Sequence, residues 1–141
     1  MDVEYRKTLD RVRWNRVSEI FEEVGWGNRS PDSLEHAFTE SSFYRFAYVE
    51  NELVGFGRTV DDGAFYGWVV DLVVLPKYQG FGIGKRILKD LESELSSFIT
   101  TMLVATEGNA GFYESQGWFK QRSSYIYPRS EKQIDVFGER R

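Results

Sequence analysis

One stretch decides more about this chain than any other: Val69-Val70-Asp71-Leu72-Val73-Val74-Leu75-Pro76-Lys77-Tyr78-Gln79-Gly80-Phe81-Gly82-Ile83-Gly84-Lys85-Arg86-Ile87-Leu88. An apolar, β-branched run stops at a proline. Glycines then alternate at 80, 82 and 84, and an amphipathic helical pattern begins. Missing Cβ atoms let the backbone adopt positive φ and come close to a ligand. The first turn of a helix carries unpaired N–H groups and the positive end of the dipole. A glycine turn opening a helix is therefore a phosphate cradle. The expectation is that it holds the pyrophosphate of a coenzyme.

The rest of the composition narrows the chemistry by what is missing. With no cysteine among the 141 residues, there is no thiol nucleophile, no disulfide and no thiolate metal site. The single histidine, His36, excludes a His-cluster metal site and argues against a Ser-His-Asp triad. It reads as an ordinary helix residue, and no metal is expected. Catalysis is left to carboxylates, tyrosine, backbone groups or water. A net charge of −4 argues against nucleic acid as the main partner. No basic-then-apolar leader is visible and no apolar run approaches the length of a membrane span, so no membrane is expected and cytoplasm is the default location. The length suits one domain over residues 1–141, long enough to bury a core without cross-links.

Periodicity supplies the remaining elements. Val3 to Lys7 alternates as a short strand. Val12, Val17, Ile20, Phe21 and Val24 recur at helical spacing, with Asp10 or Asn15 as the start and Gly25 as the stop. Ser30 ahead of Pro31 reads as the N-cap of a second helix. Tyr44 to Glu50, Leu53 to Val60 and Phe65 to Leu75 form an antiparallel meander with polar turns between. Gly84 to Phe98 is the main helix, and Thr101 to Ala105 a buried strand that the helical crossover makes parallel to the central one. Asn109 to Gln116 is a short helix stopped by Gly117. Trp118 onward, and Ser123 to Tyr127, read as one or two closing strands, and residues 129–141 take no assignment. The fold class is thus α/β (α+β): a mixed, mostly antiparallel sheet with helices on both faces.

That order separates the glycine turn from its rivals. A P-loop needs Gly-x-x-x-x-Gly-Lys-Ser/Thr, whereas Gly84-Lys85 is followed by Arg86. A dinucleotide fingerprint needs Gly-x-Gly-x-x-Gly within a βαβ unit, whereas these glycines alternate and follow antiparallel strands.

Gln79-Gly80-Phe81-Gly82-Ile83-Gly84 instead resembles the Gln/Arg-x-x-Gly-x-Gly/Ala signature of the GCN5-related N-acetyltransferase superfamily. The lead-in Leu72-x-Val74-x-Pro76 and the segment Asn109-Ala110-Gly111-Phe112-Tyr113-Glu114-Ser115-Gln116-Gly117-Trp118 are similar to its further segments, as is Leu53-Val54-Gly55-Phe56-Gly57-Arg58. The resemblance covers residues 45–120 by motif and the N-terminal 40 by element order only. It implies acetyl-CoA as donor, with the pyrophosphate on Gly80, Phe81, Gly82, Ile83, Gly84 and Lys85 and Gln79 leading into the loop. Pantetheine would run along Leu72 to Leu75 as an imitation strand, in an opening where the central strand splays from its parallel neighbour. The N–H of Val73 or Val74 would meet the oxyanion. Asn109 and Phe112 would complete the cofactor site, and Tyr113 would protonate the departing thiolate, a role that competes with that of a plain core ring beside Phe112.

The general base stays open among Asp71, Glu107 and water. Asp71 is the odd charge in an apolar strand, and it needs a partner or a pocket. The acceptor is expected to be an amine bound between the region Trp26 to Ser41 and the turns near Asp61-Asp62. Trp26, Phe43, Phe65, Tyr66 and Trp68 offer an aromatic wall, against the plainer reading as core. Glu22-Glu23 and Asp61-Asp62 are either attractors for its cation or solvated surface. The leading expectation is N-acetyl transfer in a ternary complex. The alternatives are transfer of a longer acyl group and a non-catalytic acyl-CoA-binding module. A homodimer through the C-terminal tail is a further expectation.

Overall fold

The structure, a computed structural model, describes residues 1–140. It divides into two compact units, Met1–Leu103 and Val104–Arg141. In the first, β1 (Glu4–Arg6), α1 (Trp14–Glu23), α2 (Pro31–Glu40), β2 (Tyr44–Val49), β3 (Glu52–Asp61), β4 (Tyr66–Val74), α3 (Ile83–Glu94) and β5 (Thr100–Leu103) follow in order. A 3-10 turn at Pro76–Tyr78 lies between β4 and α3. The sheet order is β1-β2-β3-β4-β5, antiparallel until the parallel β4–β5 pair, as expected for a mixed, mostly antiparallel sheet.

The core forms where α1 and α2 cover one sheet face. Val17, Ile20 and Phe21 of α1 and Leu34 and Phe38 of α2 meet Phe46, Phe56 and Val73 from the strands. Phe56 meets Phe21 tilted and Phe38 edge-on, at centroid distances of 5.3 and 6.0 Å. The other face belongs to α3, whose buried stripe is Ile83, Ile87, Leu88 and Leu91. Close approach there demands glycine: a Cβ on Gly57 would stand 3.1 Å from Ile87 and Leu91, and one on Gly67 would stand 2.7 Å from Leu95.

Local chemistry explains the boundaries. Ser30 caps α2, its Oγ accepting the Ser33 N–H at 3.1 Å with Pro31 at the first helical position. Neither Asp10 nor Asn15 starts α1. Asp10 and Arg11 instead form a turn closed by the Val12 N–H on the Leu9 carbonyl, and the helix opens at Trp14 after an uncapped Arg13. Glu50 and Asn51 take positive φ (50° and 64°), the conformation of a two-residue hairpin turn between β2 and β3. α3 ends at Glu94 rather than Phe98, because the Ser96 and Phe98 N–H groups fold into tight turns on the carbonyls three residues earlier, at Ser93 and Leu95.

The second unit holds α4 (Ala110–Ser115) and α5 (Glu131–Phe137). Gly117, at φ 91°, stops α4 as expected. The expected closing strands at Trp118 and Ser123 to Tyr127 do not form. A strand exists only through a ladder partner, and this segment has none among the described residues, with Tyr125 96% and Tyr127 80% exposed. α5 falls in the unassigned tail. Ser130 caps it by accepting the Gln133 N–H, while Gln133 accepts the Arg129 N–H at 2.7 Å. The Ser-x-x-Gln spacing was a readable capping signal for that helix.

Candidate active site

The two strands expected to splay do so by register. β4 and β5 pair only from Tyr66↔Thr100 to Val69↔Leu103, and β4 then runs on through Val74 without a strand partner on that edge. Between Arg58↔Val70 and Phe56↔Val73 the register with β3 slips, so that Asp71 and Leu72 oppose the single residue Gly57. This is a β-bulge, and Asp71 carries it at φ 54°. The bulge turns the strand end Leu72 to Leu75. Val73 is buried in the α1–α2 face, Leu72 reaches the α3 side beside Gly57, and the Leu75 N–H bonds the Val54 carbonyl at 2.9 Å.

The glycine turn follows. Gly80 (φ 85°) and Gly82 (φ 82°) are left-handed, and a Cβ on either would meet no protein atom within 4 Å. Gly82 is the N-cap of α3 and brings no side-chain cap, and the first turn has no acidic residue. Ile83 is buried and anchors the helix start, while Phe81 is 63% exposed and Lys85 is exposed. Gln79 donates from Nε2 to the Val74 carbonyl at 3.0 Å, tying the loop back to the strand end. An uncapped helix start with left-handed glycines and no nearby carboxylate in its first turn fits the diphosphate of a coenzyme.

Asp71 is a surprise in its partners. Its Oδ2 accepts from Arg58 Nε at 2.8 Å and its Oδ1 from Arg29 Nη1 at 3.0 Å. The carboxylate is 10% exposed. Sequence alone showed that this charge needed a partner, but the two arginines lie 13 and 42 residues away and carry no local signal. Arg58 also donates to Ser41 Oγ at 3.1 Å.

The expected acceptor residues separate into two groups. Phe65, Tyr66 and Trp68 are 54%, 60% and 41% exposed, an open aromatic surface. Trp26 packs on Phe21 at 5.8 Å as part of the core margin, and Phe43 is half-buried. Three of the four acidic residues have local partners. Asp61 accepts from Ser42, Thr59 and the Gly63 N–H. Asp62 accepts the N–H groups of Ala64, Phe65 and Tyr66, which hold its carboxyl below the usual carboxylate range. Glu23 pairs with Arg16, and Glu22 is exposed.

In the second unit, Tyr113 lies on α4 with its ring edge-on to Phe112, centroids 5.1 Å apart. Burial pushes its phenol above the ordinary tyrosine value, so it is a proton donor at neutral pH. Asn109 is the N-cap residue of α4 and bonds Thr106, and Glu107 is exposed. Among the described residues no group of three His, Cys, Asp or Glu side chains is placed to hold a metal ion, and no helix is long and apolar enough to cross a membrane.

The family model described as an acetyltransferase (GNAT) domain matches residues 18–127. The N-acetyltransferase ycf52 of Porphyra purpurea, named as uncharacterized, is 27% identical over 135 residues, 89% of this chain and 78% of that protein. The chloroplastic serotonin N-acetyltransferase 2 of Oryza sativa subsp. japonica is 29% identical over 72% of this chain, which spans 54% of its length. A solved GNAT family acetyltransferase from Streptococcus pneumoniae superposes with a TM-score of 0.76 at 29% identity, covering 92% of this chain and all of that one. Sheet, bulge, glycine turn and sequence agree, and the chain belongs to the GNAT acetyltransferase family.

Proposed function

We propose that the protein is an N-acetyltransferase that moves an acetyl group from acetyl-CoA directly to an amine within a ternary complex. The observation that carries this reading is the junction of two features. The half of β4 with no strand on its β5 edge (Val70 to Val74) leads, through the 3-10 turn Pro76–Tyr78, into the glycine-opened, uncapped start of α3. The backbone N–H groups of Gly80 to Lys85 would hold the diphosphate, and the free edge of Leu72 to Leu75 would bond the amides of the pantetheine arm. Asn109 and Phe112 join the cofactor site through the family resemblance. Bound there, acetyl-CoA supplies an activated acyl group.

The chain's own groups then have distinct tasks. The N–H of Val73 or Val74, at the bulged strand end, stabilises charge developing on the carbonyl oxygen. The neutral amine nitrogen forms the new N–C bond, the C–S bond breaks as Tyr113 gives its proton to the leaving sulfur, and the proton shed by the acylated nitrogen returns to Tyr113. The ammonium proton leaves to water or Glu107. Asp71 is already engaged by two guanidinium groups, which favours a positioning role for it over that of base. Alignment of the reactants supplies much of the acceleration, up to about 7–11 kcal/mol in well-oriented systems. Phe65, Tyr66 and Trp68 form the acceptor surface, and Trp26, packed on Phe21, belongs to the core margin.

The test is thiol release from acetyl-CoA with a panel of polyamines, arylalkylamines, aminoglycosides, amino acids and peptide N-termini. Release with at least one acceptor supports the reading. Tight CoA binding with no release on any acceptor replaces it with an acyl-CoA-binding module, and faster release from longer acyl-CoAs replaces the donor. A homodimer through the C-terminal segment, read from the mass in solution, and a cytoplasmic location belong to the same proposal. The rice relative's name places that protein in the chloroplast.

A further inference from the structure

On the sheet face covered by α1 and α2, one carboxylate serves two arginines. Asp71 takes Arg58 at 2.8 Å and Arg29 at 3.0 Å, and among the described residues no other acidic side chain pairs with either. The cluster therefore carries one surplus positive charge. It is not a solvated surface: Asp71 and Arg58 are 10% and 16% exposed, while Arg29 is 39% exposed and so is the open member.

Arg29 is also held in place. Its guanidinium lies over the Phe21 ring at 4.3 Å, and its own carbonyl accepts the Ser18 hydroxyl at 2.6 Å, fastening the α1–α2 loop to α1. Arg58 is fixed by Asp71 and by Ser41. A guanidinium has five N–H donors, so Arg29 keeps several after its bond to Asp71. Preorganised arginines with spare donors and uncompensated charge are built to take an anion.

The surroundings say what the anion is attached to. Register places Arg58 opposite Val70 and Val60 opposite Trp68, and residues two apart share a face. Val60, Trp68 and Tyr66 are 50%, 41% and 60% exposed, so an apolar, aromatic strip continues the sheet face beyond the charged cluster. Both features adjoin the bulge at Asp71, past which β4 keeps its β3 partners but has no strand on its β5 edge. One surplus positive charge is balanced by a monoanion such as a carboxylate.

We propose that the acceptor is an amine bearing a carboxylate, an amino acid with an apolar or aromatic side chain, whose carboxylate pairs with Arg29 while its side chain lies on Trp68 and Tyr66. This rests on the acetyltransferase reading above. In it Arg29 determines specificity, and Asp71 is a positioning residue that holds Arg29 and Arg58 in register.

The test compares matched acceptors, L-phenylalanine with phenethylamine and L-tryptophan with tryptamine, by thiol release. The carboxylated member should have a kcat/KM about tenfold or more above its partner. Arg29→Gln should lower kcat/KM for the amino acids by about tenfold or more and bring each ratio toward one, and Arg29→Lys should restore part of it. Thermal melts check that both variants fold. Decarboxylated amines turned over as well as the amino acids, or ratios unmoved by Arg29→Gln, would overturn the proposal while leaving acetyl transfer intact. If no amine at all is acetylated, the acetyltransferase reading fails on its own. Calorimetry of L-phenylalanine on the CoA-loaded protein then decides this site: binding abolished by Arg29→Gln supports it, and absence of binding to the unaltered protein overturns it.

Discussion

Replacing Gly82 by alanine separates the cradle's backbone from everything else in the protein. Gly82 is the N-cap of α3 at φ 82°, ψ 9°. An L-residue pays a left-handed penalty of roughly 1–2 kcal/mol there. Alanine's smaller loss of chain entropy on folding returns part of that, about 0.4–1 kcal/mol. Packing adds nothing, because the new Cβ would meet no protein atom within 4 Å. The net loss is about 1 kcal/mol. With an unfolding entropy of about 2.1 cal/mol/K per residue, a chain this long should melt about 3 °C lower. Binding should suffer more. If the altered angle misdirects one N–H of the α3 start, a charge-assisted bond of about 1.5–3 kcal/mol is lost. The Kd for CoA then rises about 10- to 100-fold. Calorimetry with CoA and a thermal melt give both numbers. Gly82→Asn is the control, because asparagine tolerates the left-handed region. It should recover the melting temperature, and it recovers CoA affinity only if the backbone angle, and not the added side chain, caused the loss. A Gly82→Ala protein that melts a few degrees lower yet binds CoA within about twofold would refute the cradle.

Three further outcomes are expected. Tyr113→Phe should lower kcat about tenfold or more with CoA affinity unchanged, because only the proton is removed; undiminished turnover sinks the role. Asp62 is held below the usual carboxylate range by three backbone N–H groups, so its stabilisation of the β3–β4 turn is complete above about pH 4 and fades as pH falls through its lower folded value. Asp62→Ala should remove that part of the acid dependence, and an unchanged acid limb in melts against pH would contradict it. In Gly55→Ala the new Cβ would stand 2.9 Å from the Val73 carbonyl oxygen, a backbone atom that cannot swing away. The cost should be about 1–3 kcal/mol in denaturant unfolding, with kcat falling as well because the displaced strand end carries the candidate oxyanion donor. Wild-type stability would show that β3 and β4 yield freely.

What could be read from the chain by itself was whatever depends on near neighbours. Ser30 ahead of Pro31 fixes a helix start because a cap and its N–H groups lie within three residues. Gly117 stops α4 for the same local reason. The glycine turn between β4 and α3, and the parallel return of β5, follow from residue order and the handedness of a crossover. Even the oddity of Asp71 was visible, since a carboxylate among valines and leucines demands an explanation.

The tertiary structure decided what needs distant partners. Nothing near Asp71 in sequence names Arg29 or Arg58, because an ion pair is chosen by which side chains the fold brings together. The bulge that turns β4 exists only as a mismatch of register between two strands. Ser123 to Tyr127 has the Tyr-Ile-Tyr composition of a strand but no ladder partner among the described residues, and propensity without a partner does not make one. Asp61 and Asp62 looked available to a substrate cation, yet both oxygens of Asp61 and Oδ1 of Asp62 are taken by turn N–H groups and hydroxyls. Short-range chemistry set the glycine turn that opens α3; long-range pairing set the two arginines on Asp71, because only the fold brings residues 29, 58 and 71 together.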